Sequence, residues 1–436
     1  MSTGAFNPST SQLRLAKSTG GDRKPATGYS DFRFLNYGLG GTYTLFDLLD
    51  IRGDGQAVPG LASTITLENL PIAVNWRPED HAKLIAAIEG AVASVNISGA
   101  AYKHTITPHA GTNAFAPLAI QAWRDDGIPS YFLGCRPQQA VYQIQKPGVL
   151  NGSVNLSAES YTRWGVAEQT AGTSTDPEVR GLPRGSIKSL ADGDLYLKVT
   201  DATPGTGYTF KIKVKVGAAS TYDGAEINVL VATDVVLFDE NDDRVGTRDL
   251  HTIAYWANAT GIALNDVWRI RREEDKWAQS LPTDYPLNET LATIMKDGVS
   301  FAVESAGVTR VRPLDIPANV GGRFLPGITE KGRRTCAWQL TRKQIDVSIM
   351  RALEEGEPVA MRLDCYSGVP IVAGNEATEP RISLISMDCR LAGTLPGTDN
   401  PDRHTETVTL TAYPNDDGTY PDDLTIEVVN SQTTLA

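Results

Sequence analysis

The stretch from Pro71 to Ile97 constrains the fold most, because it predicts a strand, a helix and a second strand in succession. Pro78 suits the first turn of a helix, where its missing N–H has no intrahelical partner. The two acidic residues that follow suit the positive N-terminal end of a helix. Three apolar residues recur at helical spacing and predict one buried face: Leu84, Ile85 and Ile88.

A second version of this stretch is found in the C-terminal half of the chain. The matched features keep their order: Trp76 with Trp338, the helix face with Ile349, Met350 and Leu353, and Val154–Ala158 with Val408–Ala412. Each match is weak alone, but a colinear series indicates an internal repeat. The sequence therefore predicts a mainly β, α+β fold that contains one domain twice, with one flanking helix in each copy.

The chain has 436 residues, enough for two or three domains. Four segments are expected: a flexible N-terminal arm at 1–30, a first domain at 31–170, a linker and inserted β module at 171–265, and a second domain at 266–436. Within the first domain, the pair Asn151-Gly152 is a turn signal between strands.

The chain has no run of eighteen apolar residues, so no membrane-spanning helix is predicted. Its N-terminal residues lack the apolar core of a signal peptide, and synthesis in a cytoplasm is expected. The four cysteines are scattered without a CxxC pair, which predicts reduced core thiols rather than disulfides or metal ligands.

One segment of the inserted module carries lysines at every second position: Lys211, Lys213 and Lys215. On a strand these side chains share one face. A solvated or edge-protecting face is the favoured interpretation, and a site for an anionic ligand is the alternative.

Other candidate sites are each explained better by ordinary surface structure. The acidic run at 239–246 lacks the ligand ladder of a calcium loop. Arg52-Gly53-Asp54 is a candidate for integrin-type recognition, but it lies in a Gly-rich turn. The adjacent carboxylates Asp125 and Asp126, or Glu354 and Glu355, are candidate acid/base pairs, but such pairs on a turn or a helix end are usually only solvated. No catalytic, cofactor-binding or metal-binding residue is predicted, and the protein is expected not to be an enzyme.

The net charge of −12 argues against ordinary DNA binding, which needs basic surface to replace counterions. An acidic body permits a surface past which DNA moves without sticking.

Four runs in residues 103–161 occur in an order that resembles the tail tube proteins of long-tailed bacteriophages: KHTITP, PLAIQAWRDDG, YFLGCRPQQAVYQI and GVLNGSVNLSAESY. The helix after Trp76 is similar to the helix of that family. The resemblance covers about 31–165 directly and 301–414 only through the internal repeat. The second copy lacks the His-Thr-x-Thr-Pro strand.

The resemblance implies a β-sandwich or curled sheet with one flanking helix in each copy. Sheets of neighbouring subunits join into a tube wall. Because this chain carries the domain twice, trimeric rings with a pseudo-six-fold wall are expected, stacked into a non-contractile tail. The implied partners are other copies of the chain and the tail terminator, tape measure and tail tip proteins. Double-stranded DNA passes through the tube non-specifically, and the protein resides in the virion tail after synthesis in the host bacterial cytoplasm.

A multi-domain β protein that binds carbohydrates or surfaces, such as an adhesin, is the alternative function. Seven tryptophans and fifteen tyrosines could supply stacking platforms for sugars. Aromatic residues in cores and interfaces are the commoner outcome.

Overall fold

The chain forms two compact units in the computed structural model. The larger contains Ser30–Leu118, Gly134–Glu159 and Ser280–Ala436, and the smaller contains Met1–Tyr29, Ala119–Leu133 and Ser160–Gln279. The structure describes these residues: 11–17, 30–39, 42–51, 57–108, 117–123, 130–145, 148–162, 168–171, 195–216, 221–222, 226–231, 234–236, 253–256, 261–270, 280–300, 302–315, 328–342, 355–392, 406–415 and 420–435.

Strands dominate both units, so the predicted mainly β fold is confirmed. The first strands are β1 Gln12–Lys17, β2 Ser30–Asp31, β3 Asn36–Tyr37, β4 Thr42–Ile51, β5 Ala57–Thr66, β6 Leu70–Asn75, β7 Gly90–Ser98, β8 Ala101–Pro108, β9 Leu118–Trp123, β10 Ser130–Gln145, β11 Asn151–Ser157, β12 Ser160–Thr162 and β13 Glu168–Ala171. The central strands are β14 Leu195–Asp201, β15 Phe210–Val216, β16 Ile227–Val229, β17 Asp234–Val236, β18 Ile253–Tyr255 and β19 Val267–Ile270. The last are β20 Ala292–Lys296, β21 Val299–Ser300, β22 Ser305–Val311, β23 Leu314–Asp315, β24 Thr329–Glu330, β25 Thr335–Arg342, β26 Val359–Tyr366, β27 Arg381–Leu391, β28 Glu406–Tyr413 and β29 Thr425–Asn430.

One α-helix, α1, spans Pro78–Glu89, with Pro78 in its first turn as predicted. Its predicted apolar face is buried, and so are nearly all of its other residues. The helix ends at Gly90, whose φ of 111° suits glycine and whose N–H donates to the Ala86 carbonyl. The second predicted helix face, at 349–353, lies outside the described residues.

The first strand series of the larger unit runs β3, β6, β11, β10, β22, β25, β28 and β27, with every neighbouring pair antiparallel. Trp76 and Trp338 are almost fully buried in this unit, and the Trp76 ring stacks on Tyr142 at 4.5 Å. Asn151 and Gly152 belong to β11 rather than to a turn. A Cβ on Gly152 would lie 1.7 Å from the Val141 carbonyl oxygen, so the glycine permits close approach of the two strands.

The second strand series of the larger unit runs β7, β8, β29, β27, β26, β20 and β21. The long strand β27 belongs to both series, because Arg381–Ile385 pair with β29 and Asp388–Leu391 pair with β28. The unit is therefore sandwich-like, with two strand series that share one strand.

The smaller unit contains a five-stranded sheet in the order β13, β19, β14, β15, β16. A core of Phe210, Trp256 and Trp268 packs with the inward aliphatic residues of the sheet. Of its strands, β19 lies outside the predicted limits of the insert at 171–265, and so does β13 except for its last residue, Ala171. In the predicted N-terminal arm, Gln12–Lys17 form a strand, and Ala16 packs with Ala119 and Leu133.

Candidate assembly site

The C-terminal residues of the chain are bound to the first turn of α1. The Glu79 carboxylate accepts hydrogen bonds from the backbone N–H and the hydroxyl of Ser431, at 2.6 and 3.1 Å. Asn430 donates to the Pro78 carbonyl at 2.9 Å, and Gln432 donates to the Glu79 carbonyl at 2.6 Å. These bonds join residues about 350 positions apart in sequence, so they fix the end of the chain to the helix.

A second cluster of contacts holds the same end of the helix. One guanidinium nitrogen of Arg33, Nη1, donates to both carboxylate oxygens of Asp80, at 2.9 and 2.7 Å. The buried His81 ring accepts from the Arg77 N–H at Nδ1 and therefore donates from Nε2 to the Arg33 carbonyl, at 3.0 and 2.8 Å. Burial lowers the pKa of His81 to about 4, because a charged ring here loses its hydration.

Stability is expected to fall between pH 6.5 and pH 4 through His81. Its pKa in the folded protein lies below the ordinary 6.5, so the unfolded chain binds the proton more strongly and protonation favours unfolding. The stabilisation is complete above pH 6.5 and its loss amounts to about 3 kcal/mol at pH 4. Guanidinium denaturation of the wild type and His81→Gln at several pH values measures the difference.

The comparison with the variant is needed because burial raises the pKa of Glu79 and of Asp80. Protonation of these carboxyls favours the folded state, so it acts in the opposite direction as the pH falls. Both proteins share those carboxylates. Parallel pH profiles of the wild type and His81→Gln would contradict the role of His81.

The other end of α1 carries a buried ionic cluster, which we call the Arg310 cluster: Arg310, Glu89 and Asp423. Arg310, only 2% exposed, lies 3.1 Å from the Glu89 carboxylate and 2.5 Å from that of Asp423. Burial raises the pKa of Glu89, and the charge of Arg310 opposes that shift. Burial by itself lowers the pKa of Arg310, but the two carboxylates raise it further than burial lowers it.

Two more arginines complete the C-terminal end of the helix. Arg312 donates to the Ile88 carbonyl at 3.2 Å, and Arg334 donates to the Glu89 carbonyl at 3.0 Å. Positive side chains suit the negative end of a helix dipole, whereas the Glu89 carboxylate does not. Arg310 lies on β22, Arg312 directly follows that strand, and Arg334 directly precedes β25. The helix α1 is therefore fixed to the C-terminal half of the chain by charge as well as by packing.

Sequence reasoning missed the Arg310 cluster, although a signal was present. Ala306, Val308 and Arg310 alternate along β22, and the strand buries all three. A charged residue at an inward position of a strand needs a buried partner. The pattern could have predicted such a partner, but not that it is Glu89.

One end of the second strand series is the open edge of β7. Within the described residues β7 pairs only with β8. The five residues from Val92 to Asn96 are all exposed, so neither face of the strand is covered, and Val95 is 60% exposed. The strand contains no charged residue and no proline. Charged side chains and prolines are what natural edge strands use to prevent pairing with other chains, and β7 has neither.

The opposite end of the series is also open. All of β20 pairs with β26, but only Met295 and Lys296 pair with β21 on the outer side. Exposed apolar side chains lie here too, and Val299 is 69% exposed. Beside β20 is a groove of about 450 Å³ lined by, among others, Ile144, Thr293, Ile294, Val303, Ser305 and Ala306.

Most of the candidate sites named from the sequence lie outside the described residues: 239–246, Arg52-Gly53-Asp54, Asp125, Asp126 and Glu354. Glu355 is exposed. All four cysteines are free thiols in the core. Among the described residues, no group of three or more His, Cys, Asp or Glu side chains is placed to hold a metal ion.

Four tryptophans are almost fully buried: Trp76, Trp256, Trp268 and Trp338. Their rings are therefore not available to stack on sugars.

Within the described part of the chain, no helix has the length and apolar character needed to cross a membrane. No protein-family model matches the sequence, and no curated protein matches it.

Proposed function

We propose that this protein is a structural subunit that assembles with other copies of itself into closed rings, stacked as the tail tube of a long-tailed bacteriophage. The observation that carries the proposal is the second strand series of the larger unit. It is open at both ends, at β7 and at β20, and both ends expose apolar side chains. If the edge at one end of a copy pairs with the other end of the next copy, the contact is head-to-tail. Such contacts form a ring when the rotation from copy to copy closes a full turn, and closure is part of the proposal.

The proposed duplication is supported by strand order. The segment β3, β6, β11, β10 has the same pairing order as β22, β25, β28, β27, and the two segments meet where β10 pairs with β22. Two linked copies of one domain in each chain favour a trimeric ring with a pseudo-six-fold wall.

Hydrogen-bond register supports the same correspondence. Leu35 donates to the Ala73 carbonyl, and Glu304 donates to the Thr341 carbonyl, both at 2.8 Å. These bonds align Ala73 with Thr341. In this proposed alignment Trp338 corresponds to Leu70, whereas the sequence comparison matched it with Trp76.

The later sequence match agrees with the register. Val154 pairs with Ile72 in β6, and Val408 pairs with Leu340 in β25. These are corresponding positions once Ala73 is aligned with Thr341. The match of Val154–Ala158 with Val408–Ala412 therefore identifies the same strand in the two proposed copies.

In this proposal the ring encloses a lumen through which double-stranded DNA passes non-specifically. The net charge of −12 suits that task, because an acidic wall does not retain DNA. Tail terminator, tape measure and tail tip proteins are the proposed partners at the ends of the tube, in a virion tail made in the bacterial cytoplasm.

Rings of three chains are expected when the purified protein is concentrated, and stacked rings are expected at higher concentration. Native mass measurement gives the number of chains, and electron microscopy shows whether the rings have a central channel wide enough for duplex DNA. A chain that stays monomeric at high concentration would count against the proposal.

A further inference from the structure

The outer face of the five-stranded sheet in the smaller unit carries four lysines, which we call the lysine face: Lys198 on β14 and Lys211, Lys213 and Lys215 on β15. We propose that the lysine face binds an acidic polysaccharide, a sugar polymer with repeated carboxylate, sulfate or phosphate groups. The site is separate from the proposed ring contacts, so it goes beyond the proposed function.

The alternation of the two strands places the lysines on the side opposite the core. Leu197 and Val199 on β14, and Ile212 and Val214 on β15, are buried, whereas the lysines between them are only partly buried. Residues two apart on a strand lie about 7 Å from each other. The face therefore presents a regular row of positive charges on a rigid sheet.

The arrangement of the lysines is unfavourable for the free protein. Lys198 and Lys213 are directly opposite each other across the β14–β15 pair, and like charges in that position destabilise a sheet. Lys211 has an acidic partner, Glu226, at 3.6 Å. Among the described residues, Lys213 has no acidic partner at ion-pair distance. A like-charge pair maintained at a cost in stability is typical of a binding site rather than of a folding device.

Edge protection explains only part of the row. Lys211 lies where β15 is paired on both sides, with β14 and with β16. Its side chain is therefore on the face of an interior strand and protects no edge.

Three tyrosines hold two of the lysine ammonium groups close to the face. Lys211 lies 4.9 Å from the centre of the Tyr208 ring, and Lys215 lies 5.0 Å from that of Tyr196 and 4.8 Å from that of Tyr222. These contacts restrict the lysines before any ligand binds, which reduces the entropy lost on binding.

The same contacts favour an acidic polysaccharide over a nucleic acid. Single-stranded nucleic acid is held by bases stacked on free aromatic rings, and here lysines cover the tyrosine rings. Duplex DNA is bound by domains with a basic overall charge, whereas residues 160–279, the longest segment of the smaller unit, contain more acidic than basic side chains. A flexible polymer can place its charges on a local row of lysines without approaching the acidic remainder.

The test uses the full-length protein and heparin, a sulfated polysaccharide, at low salt. The double variant Lys198→Gln and Lys213→Gln is expected to bind heparin about tenfold more weakly than the wild type, and the binding of both should weaken as salt rises. Its thermal unfolding temperature should be unchanged or higher, because the like-charge pair is gone. The matched control is Lys331→Gln, an exposed lysine of the larger unit, which should bind heparin like the wild type.

Three results would overturn the proposal: no heparin binding by the wild type, equal binding by the double variant, or equal loss in Lys331→Gln. A duplex DNA of the same charge serves as a further probe. If the wild type binds this DNA more tightly than heparin, the face is a nucleic-acid site. Ring formation by the double variant should be normal, so failure of this proposal and failure of the proposed function are distinguishable.

Discussion

Replacement of Arg310 by methionine is expected to lower the free energy of unfolding of the larger unit by about 3 to 5 kcal/mol. The guanidinium lies between Glu89 and Asp423 and is 2% exposed. Methionine fills similar space but leaves two carboxylates buried near each other without a positive charge. The loss is measured as a shift of the guanidinium midpoint followed by tryptophan fluorescence.

A triple neutral variant distinguishes charge from packing. Arg310→Met combined with Glu89→Gln and Asp423→Asn removes the stranded charges and should regain a large part of the stability lost in the single variant. The matched control is Arg390→Met, an exposed arginine paired with Asp388, which should unfold like the wild type. A single variant as stable as that control would show that the Arg310 cluster does not stabilise the larger unit.

Replacement of Val95 by lysine is expected to abolish ring assembly while the chain still folds. Val95 is 60% exposed on the open edge strand β7, so a lysine fits there without buried contacts being lost. In the assembled ring the same position would be covered by the next copy, and a charge on an edge strand opposes such pairing. Sedimentation analysis should show only monomer at concentrations where the wild type forms rings.

The control for this variant is Leu264→Lys, an apolar residue of the smaller unit that is 57% exposed. It changes the net charge equally and should leave assembly intact. The unfolding temperatures of both variants should match that of the wild type. Rings of normal size from Val95→Lys would exclude β7 as the contact between copies.

Local patterns predicted the local structure of this chain well. Proline at the start, acidic residues in the first turn and apolar residues at helical spacing predicted α1 and its buried face, as the structure confirms. The lysines of β15 were likewise predicted to share a face, because side chains on a strand alternate. In both cases the sequence pattern that predicts the structure lies within a single helix or a single strand.

The contacts that join the two halves of the chain could not be predicted in the same way. The pairing of β10 with β22 and the ion pair of Glu89 with Arg310 link residues more than 150 positions apart. No local pattern specifies which partner a strand or a charge will find. The Asn151-Gly152 signal failed for a related reason, because the glycine is required by the approach of Val141 from another strand rather than by a turn.

In the proposed assembly, copies of this chain join through the open ends of one strand series. An electron cryomicroscopy reconstruction of the assembled particle tests it most directly, because it resolves the strands at each contact. We expect three chains in each ring, with β7 of each copy alongside β20 of the next. A ring in which β7 stays exposed to solvent, or a particle without closed rings, would contradict it.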